Sequence, residues 1–280
     1  MNPEKLNFDS IESENLNDRL EVHFDNKSEN FINIEVEELL EIKGDIDSIL
    51  GTQWNLENQK IDYYSFSDRK SFENFVKNNV PNSDSLLKEN AVFYINPKTQ
   101  AKIVLNYTPI PSEEEISKGE SYGYDLNRRK QMTKADILSS FAHETAHMHP
   151  FFNNHGNEDT ANMWEQEQIC VHIGEKARGD ISDILLAKGF LSEEKINSFN
   201  LKNGGWDNLG ENKNIVANYF YPFLIKEYGI EKVRMIWKNL QENPDLEFGL
   251  KEILNQEPKD IVNIFKEKIK DKQYLRDIFN

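Results

Sequence analysis

Cysteine and long apolar runs are scarce in this 280-residue chain. The single cysteine, Cys170, excludes an intramolecular disulfide framework and a cysteine-rich zinc finger. The sequence contains no run of 18 apolar residues, so we expect no transmembrane helix. The first 21 residues lack the apolar segment of a signal peptide. This predicts a cytoplasmic protein, or a secreted one whose leader lies outside this sequence.

Basic residues are also few, because 33 Lys and Arg face 49 Asp and Glu, for a net charge of −16. A nucleic-acid-binding protein needs clustered Lys and Arg for phosphate contacts, so this balance argues against a nucleic-acid partner. The 17 Phe, 10 Tyr and 4 Trp argue against a wholly disordered acidic chain. The length suits one large domain or two small ones with a substantial core.

The hydrophobic periodicity predicts an α+β fold that begins with strands and ends with helices. Residues 1–18 form a predicted polar tail. Predicted strands cover 19–24, 60–66, 91–95 and 101–107, the last two forming a hairpin, and predicted helices cover 34–51 and 67–79. The segment 108–125 is a predicted long loop, either a solvated connection or the mobile rim of a cleft. The last 65 residues are predicted to be mostly helical.

A further helix is predicted to begin at Thr133 and to end before Pro150. Its start is predicted because Thr133 and Asp136 together resemble a capping box. The next predicted helix covers about 159–177. These two helices and the segment between them contain the most unusual feature of the composition. Five of the six histidines lie between His143 and His172.

The sequence HETAH at 143–147 matches the pattern H-E-x-x-H. Histidines four residues apart lie one turn apart on one helix face, so His143 and His147 can bind one ion. Glu144 lies about 100° around the helix, where its carboxylate can take a proton from a metal-bound water. About 0.014 chance matches to this pattern are expected in a chain of this composition. We therefore predict a Zn²⁺ site with Glu144 as the general base.

A catalytic zinc site needs a third protein ligand. The pattern H-E-x-x-H-x-x-G-x-x-H is excluded, because Pro150 and Asn153 stand at its glycine and histidine positions. The remaining candidates are Glu165 and Glu167 on the next helix, and helical spacing favours Glu167 only modestly.

The other residues near the motif are interpreted as structural. His149 points away from the metal face, and His155 lies two residues too late for the extended motif. We interpret His172 as a buried or surface histidine, and Cys170 as a small buried hydrophobe near the site.

The combination of HETAH with WEQE at 164–167 resembles the gluzincin arrangement H-E-x-x-H … W-x-x-E. The separation of 20 positions from His147 to Glu167 matches the spacing of thermolysin-type enzymes. The order of LEVHF, EELLEIKGDIDSILG, KIDYYSF, DRKSFENFVKNN, AKIVLNY and YFYPFLIKEYG resembles bacterial peptidase MA-like proteins. The resemblance covers residues 19 to about 270.

This resemblance implies a zincin-like fold in one catalytic domain, 19–280. An α/β subdomain, 19–157, would carry the HExxH helix, and a helical subdomain, 158–280, would carry the third ligand. It implies His143, His147 and Glu167 as zinc ligands, Glu144 as general base and acid, and an edge strand around Ile103–Leu105 that pairs with an extended peptide.

The sequence departs from the family pattern at two positions. Gln168 stands where the family usually has glycine, and Val171 stands where thermolysin-type enzymes have an aspartate. Gluzincins also need a Tyr or His donor for the oxyanion. Tyr219 is the predicted donor. Tyr221 and the loop residues Tyr122 and Tyr124 are further candidates, and all could instead be structural aromatics.

Two functions follow from these observations. The first is a zinc metallopeptidase that hydrolyses peptide or protein substrates. The alternative, based on the two departures and the unplaced donor, is an inactive zinc-binding protein with a peptidase-like fold that recognises a protein or peptide partner.

Overall fold

The computed structural model describes residues 9–10, 20–24, 34–52, 61–80, 83–95, 102–110, 112, 114–115, 126–152, 160–179, 192–201, 215–243 and 245–278. The chain divides into two compact units. The sheet unit comprises Met1–Asp47 and Gln53–Met148, and the helical unit comprises Ser48–Thr52 and His149–Asn280. The predicted subdomain boundary at 157 lies outside the described residues and stays a prediction.

The sheet unit contains a five-stranded sheet in the order β1-β2-β3-β5-β4. Its strands are β1 (Asp9–Ser10), β2 (Leu20–Phe24), β3 (Ile61–Phe66), β4 (Ala91–Ile95) and β5 (Lys102–Tyr107). The pairs β2–β3 and β3–β5 are parallel, whereas β1–β2 and β4–β5 are antiparallel. The sheet is therefore mixed, as predicted, and the fold is α+β and mostly helical. The two-residue strand β1 within the polar N-terminal segment was not expected from the sequence.

The predicted edge position of Ile103–Leu105 is wrong. These residues belong to β5, which pairs with β3 on one side and β4 on the other. The reason is the hairpin: β5 runs back antiparallel to β4, so β4 covers the edge of β5 that does not pair with β3. Ile103, Val104 and Leu105 are accordingly buried, and β4 lies at the end of the described strand order.

Helix α1 (Val36–Leu50) precedes β3, and helix α2 (Arg69–Asn79) follows it. The side chain of Asp68 caps α2 by accepting a hydrogen bond from the backbone N–H of Ser71 at 2.9 Å. Apolar residues of α2, including Phe72 and Val76, pack with Phe66 and Leu105 in one buried cluster. A 3₁₀ turn, Ser83–Lys88, then leads into β4.

The opposite face of the sheet packs on α3 (Leu126–His147). Alternation along β3 places Tyr63 on this face, where its ring meets Phe141 of α3 edge-on at 5.2 Å. The predicted start of this helix at Thr133 is wrong, because α3 begins seven residues earlier at Leu126. Thr133 is an interior residue, and its hydroxyl donates to the carbonyl of Arg129 at 3.0 Å instead of capping the helix.

The described elements of the helical unit are helices. They are α4 (Thr160–Ala177), α5 (Glu193–Ser198), a π-helix (Val216–Phe220), α6 (Tyr221–Tyr228), α7 (Ile230–Glu242), α8 (Leu246–Leu254), α9 (Pro258–Lys268) and α10 (Lys272–Asp277). The π-helix runs directly into α6, whose second residue is Pro222. The predicted helix over about 159–177 corresponds to α4.

Aromatic side chains fill the core of the helical unit. Phe265 of α9 lies at its centre, with ring centroids of three phenylalanines at 5.2–5.3 Å. These are Phe199, Phe220 and Phe223. Edge-on aromatic pairs add to the stabilisation from apolar burial, so this core holds the helices in a defined packing. No helix in the described part of the chain is long and apolar enough to cross a membrane.

Candidate metal centre

The two histidines of the HETAH motif lie in the last turn and a half of α3, on one face. Their Nε2 atoms are 3.1 Å apart, and their ring centroids are 4.8 Å apart at an angle of 73°. Two nitrogen ligands at zinc distances in tetrahedral geometry would be about 3.3 Å apart. The orientation of His143 and His147 therefore suits two ligands of one ion.

Glu167 of α4 completes a group that could hold a metal ion. One ligand atom each from His143, His147 and Glu167 all lie within 4.8 Å of one another. The three residues are partly exposed, so an ion can reach them. Two imidazoles and one carboxylate form the His₂Glu donor set found in catalytic zinc sites, and this set fits the ion that the sequence predicts.

The distances among these ligand atoms do not test Glu165, the alternative third ligand. Glu165 is a residue of α4, but its side chain lies outside the described part of the chain. Glu167 is therefore the carboxylate that the structure brings to the two imidazoles, and the choice between the two glutamates has to be tested by substitution.

Glu144 lies beside this group without belonging to it. One of its carboxylate oxygens is 3.9 Å from Nε2 of His143, and the residue is only 7% exposed. This agrees with a carboxylate that serves water next to the ion and does not bind the ion itself. Its role as general base stays a prediction.

The negative charge of Glu144 also affects the pKa of Tyr63, a residue of the sheet that packs against α3. Burial raises the pKa of Tyr63 above its usual range, and the negative charge of Glu144 adds to this shift. Tyr63 lies on β3, the middle strand of the described order, so the charge of Glu144 acts on the centre of the sheet.

Two of the histidines interpreted as structural, His149 and His172, do not belong to the three-residue group. His149 is fully buried, and its Nδ1 accepts a hydrogen bond from the backbone N–H of Phe151 at 3.1 Å. His172 is buried, and its Nδ1 lies 3.1 Å from the carbonyl of Ala217. Burial and, to a smaller extent, the charge of Lys176 lower the pKa of His172 to about 4, although the hydrogen bond to the Ala217 carbonyl opposes both.

Cys170 is buried, as expected for a small hydrophobe. His155 and the loop tyrosines Tyr122 and Tyr124 lie outside the described residues. The interpretations of His155, Tyr122 and Tyr124 therefore stay predictions.

The predicted oxyanion donor, Tyr219, is a buried residue of the π-helix. Burial raises its pKa above the usual range, and the charge of Glu175 adds to the shift. Glu175 lies eight residues beyond Glu167 on α4, about 12 Å along the helix axis. Tyr221 is buried too, and its ring meets Trp237 edge-on at 5.5 Å. The catalytic role of Tyr219 stays a prediction.

Phe93 of β4 is a neighbour of the site that sequence reasoning missed. Its ring stacks on the imidazole of His147, with centroids 5.4 Å apart and planes inclined by 17°. The alternation of AVFYI shows that Phe93 shares a strand face with Ala91 and Ile95. It does not show which face meets α3, because that depends on the order of the strands.

Comparisons of this chain with family models, with curated proteins and with solved structures find no match.

Proposed function

We propose that this protein is a zinc-dependent metallopeptidase of the gluzincin type with a zincin-like fold. The observation that carries the proposal is the group of His143, His147 and Glu167, whose ligand atoms lie within 4.8 Å of one another. Glu144 stands beside this group, with a carboxylate oxygen 3.9 Å from His143 Nε2. A metal-ligand group with an adjacent buried carboxylate suits hydrolysis better than a purely structural metal site.

His143, His147 and Glu167 would hold the ion, and three protein ligands leave a position open for reactants. When bound, zinc supplies a Lewis acid that polarises the peptide carbonyl and acidifies water. Glu144 takes a proton from the attacking water as the new C–O bond forms. It then gives that proton to the leaving nitrogen as the C–N bond breaks.

Tyr219 is our proposed donor to the oxyanion. A tyrosine hydroxyl is protonated at neutral pH, as a hydrogen-bond donor to the oxyanion has to be. Replacement of Tyr219 by Phe should lower kcat about 10²-fold with little change in KM. A variant that loses stability but keeps its kcat would instead make Tyr219 a core aromatic.

The proposed substrate is an extended peptide or protein segment. β4 ends the described strand order, so it replaces Ile103–Leu105 as the strand along which such a segment could pair. Phe93 belongs to this strand and its ring stacks on His147, so the strand lies close to one of the proposed metal ligands.

The test is peptide hydrolysis by zinc-loaded wild type and Glu144→Gln protein on degenerate peptide pools. We expect the variant to keep one zinc per chain and to lose about 10²- to 10⁴-fold in rate, because only the proton acceptor is removed. Glu37→Gln, an exposed position in the same unit, is the matched control and should retain full activity.

Zinc binding without metal-dependent cleavage on any pool would contradict a peptidase. That result would favour the alternative, a peptidase-like protein that binds a partner. The buried Gln168 beside Glu167, where the family usually has glycine, is the observation that motivates this second function.

A further inference from the structure

Phe93 belongs to a row of side chains that crosses the sheet beneath α3. Val104 of β5 is paired with Phe93 on one side and with Tyr63 on the other. Paired residues project to the same face of a sheet, so all three side chains face α3. Tyr63 at one end of the row contacts Phe141, and Phe93 at the other end contacts His147.

His147 is the last residue of α3, and this position explains why its ring needs support. The final turn of a helix has unsatisfied carbonyls and is held less firmly than the interior. Directly after the helix the chain makes a tighter turn than a helical one. In this turn the N–H of Met148 donates to the carbonyl of Thr145, three residues earlier, at 3.1 Å. A ligand at such an end depends on its side-chain neighbours for a fixed orientation.

Two rings that lie beside His147 are those of Phe93 and His143. The Phe93 ring is nearly parallel to the imidazole at 5.4 Å, whereas the His143 ring meets it at 73° and 4.8 Å. Stacking along one face restricts rotation of the imidazole while leaving Nε2 directed at His143. Phe93 is 36% exposed, so its ring lies across the imidazole face at the surface of the sheet unit.

We propose that Phe93 is a positioning residue for the metal ligand His147. Its ring holds the imidazole in the orientation that places Nε2 opposite Nε2 of His143, and it shields one imidazole face from water. The inference rests on the proposed metal group but not on peptide hydrolysis.

The test measures the zinc dissociation constant, by competition with a chelating dye, and the visible spectrum of the cobalt-substituted protein. Phe93→Ala should weaken zinc binding about three- to tenfold, the range that an aromatic pair contributes, and should alter the cobalt bands. Phe93→Leu keeps apolar bulk without the flat ring and should resemble Phe93→Ala. Phe93→Tyr keeps the ring and should bind zinc within about twofold of wild type.

Phe248→Ala is the matched control, because Phe248 is a similarly exposed phenylalanine, at 42%, in α8. Wild-type affinity and an unchanged cobalt spectrum in Phe93→Leu would overturn the proposal, and so would equal weakening in Phe93→Leu and Phe93→Tyr. A wild-type protein that binds no zinc would overturn both this inference and the proposed function. Zinc binding that depends on Phe93 without hydrolysis would remove only the peptidase.

Discussion

The sheet unit and the helical unit hold their buried polar side chains in different ways. In the sheet unit several of these side chains lie on paired strands, and one of them is Asn106, whose amide donates to the hydroxyl of Thr108 at 2.9 Å. In the helical unit, His172 lies among aromatic rings, with Tyr221 and Trp237 at 6.0 and 6.1 Å. Strand register is fixed by backbone hydrogen bonds, whereas an aromatic core depends on packing of side chains.

This difference indicates how each unit supports the metal ligands. His143 and His147 lie on a helix that packs against a sheet whose strand register is fixed by backbone hydrogen bonds. Substitutions in this unit should therefore alter metal binding and the rate of the catalysed reaction. Glu167 lies on α4, the same helix as His172, so changes in the packing around α4 should alter stability first. Substitutions in the two units can therefore separate the two effects.

The largest expected effect is on zinc affinity when the third ligand is removed. Glu167→Ala should weaken zinc binding by more than about 100-fold, because loss of a direct ligand exceeds the 10- to 100-fold effect of a supporting residue. Glu165→Ala, two residues away on α4, is the matched control and should bind zinc as wild type does. The measurement is a zinc titration against a competing chelator. The opposite ranking would make Glu165 the third ligand.

The second prediction concerns the pH dependence of stability through His172. Its pKa is about 4 in the folded protein, below the ordinary value near 6.5, so the unfolded chain binds the proton more tightly. The stabilisation is complete above pH 6.5 and is lost as the pH falls towards 4. The loss amounts to at most about 3 kcal/mol in the free energy of unfolding.

Urea unfolding of metal-free protein between pH 4 and 7 measures this effect. The variant His172→Phe should start less stable by about 1 kcal/mol, because the Ala217 carbonyl loses its donor. It should then lose less stability than wild type on acidification, since the titrating group is gone. Parallel pH profiles for the two proteins would rule out this role for His172.

A smaller loss is expected at Gly51, which follows α1 with φ at 73°. A Cβ atom there would lie 2.9 Å from Nε of Arg234. The same Nε donates to the carbonyl of Ile49 at 2.9 Å, so Arg234 binds the end of α1. Gly51→Ala should cost about 1–2 kcal/mol from the left-handed backbone alone, measured as the free energy of unfolding.

A substitution at Gly44, inside α1, should have the opposite effect on stability. A Cβ atom at Gly44 would have no neighbour within 4 Å, and the residue is in the interior of α1. Gly44→Ala should therefore stabilise the protein by about 0.5–1 kcal/mol through helix propensity. A loss of stability in Gly44→Ala would show that α1 has neighbours that this geometry does not include.

Local signals allowed much of the secondary structure to be predicted from the sequence. Gly51 ends α1, Asp68 caps α2, and the runs AVFYI and KIVLNY form antiparallel strands. Thr133 misled because a threonine before an apolar stripe looks like a cap, yet the preceding residues LNRRKQM also favour a helix. Inside a helix, the hydroxyl of Thr133 can donate a hydrogen bond to a backbone carbonyl of the preceding turn. Composition alone therefore does not distinguish a capping threonine from an interior one.

The features that could not be predicted from the sequence depend on pairing between residues that are far apart in the chain. Whether Ile103–Leu105 form an edge or an inner strand depends on where β4 pairs, and hydrophobic alternation gives the same pattern for both. The ligand pair His143 and His147 could be predicted because helix periodicity alone brings them together. The support from Phe93 could not, because it joins residues 54 positions apart through the order of the sheet.

Zinc K-edge X-ray absorption on protein loaded with one equivalent of zinc tests the central claim most directly. The account predicts two imidazole nitrogens at about 2.0–2.1 Å, with oxygen completing the shell and no sulfur. His143→Ala and His147→Ala should each abolish stoichiometric binding. A spectrum without imidazole scattering, a sulfur ligand from Cys170, or unchanged zinc binding in both histidine variants would contradict it.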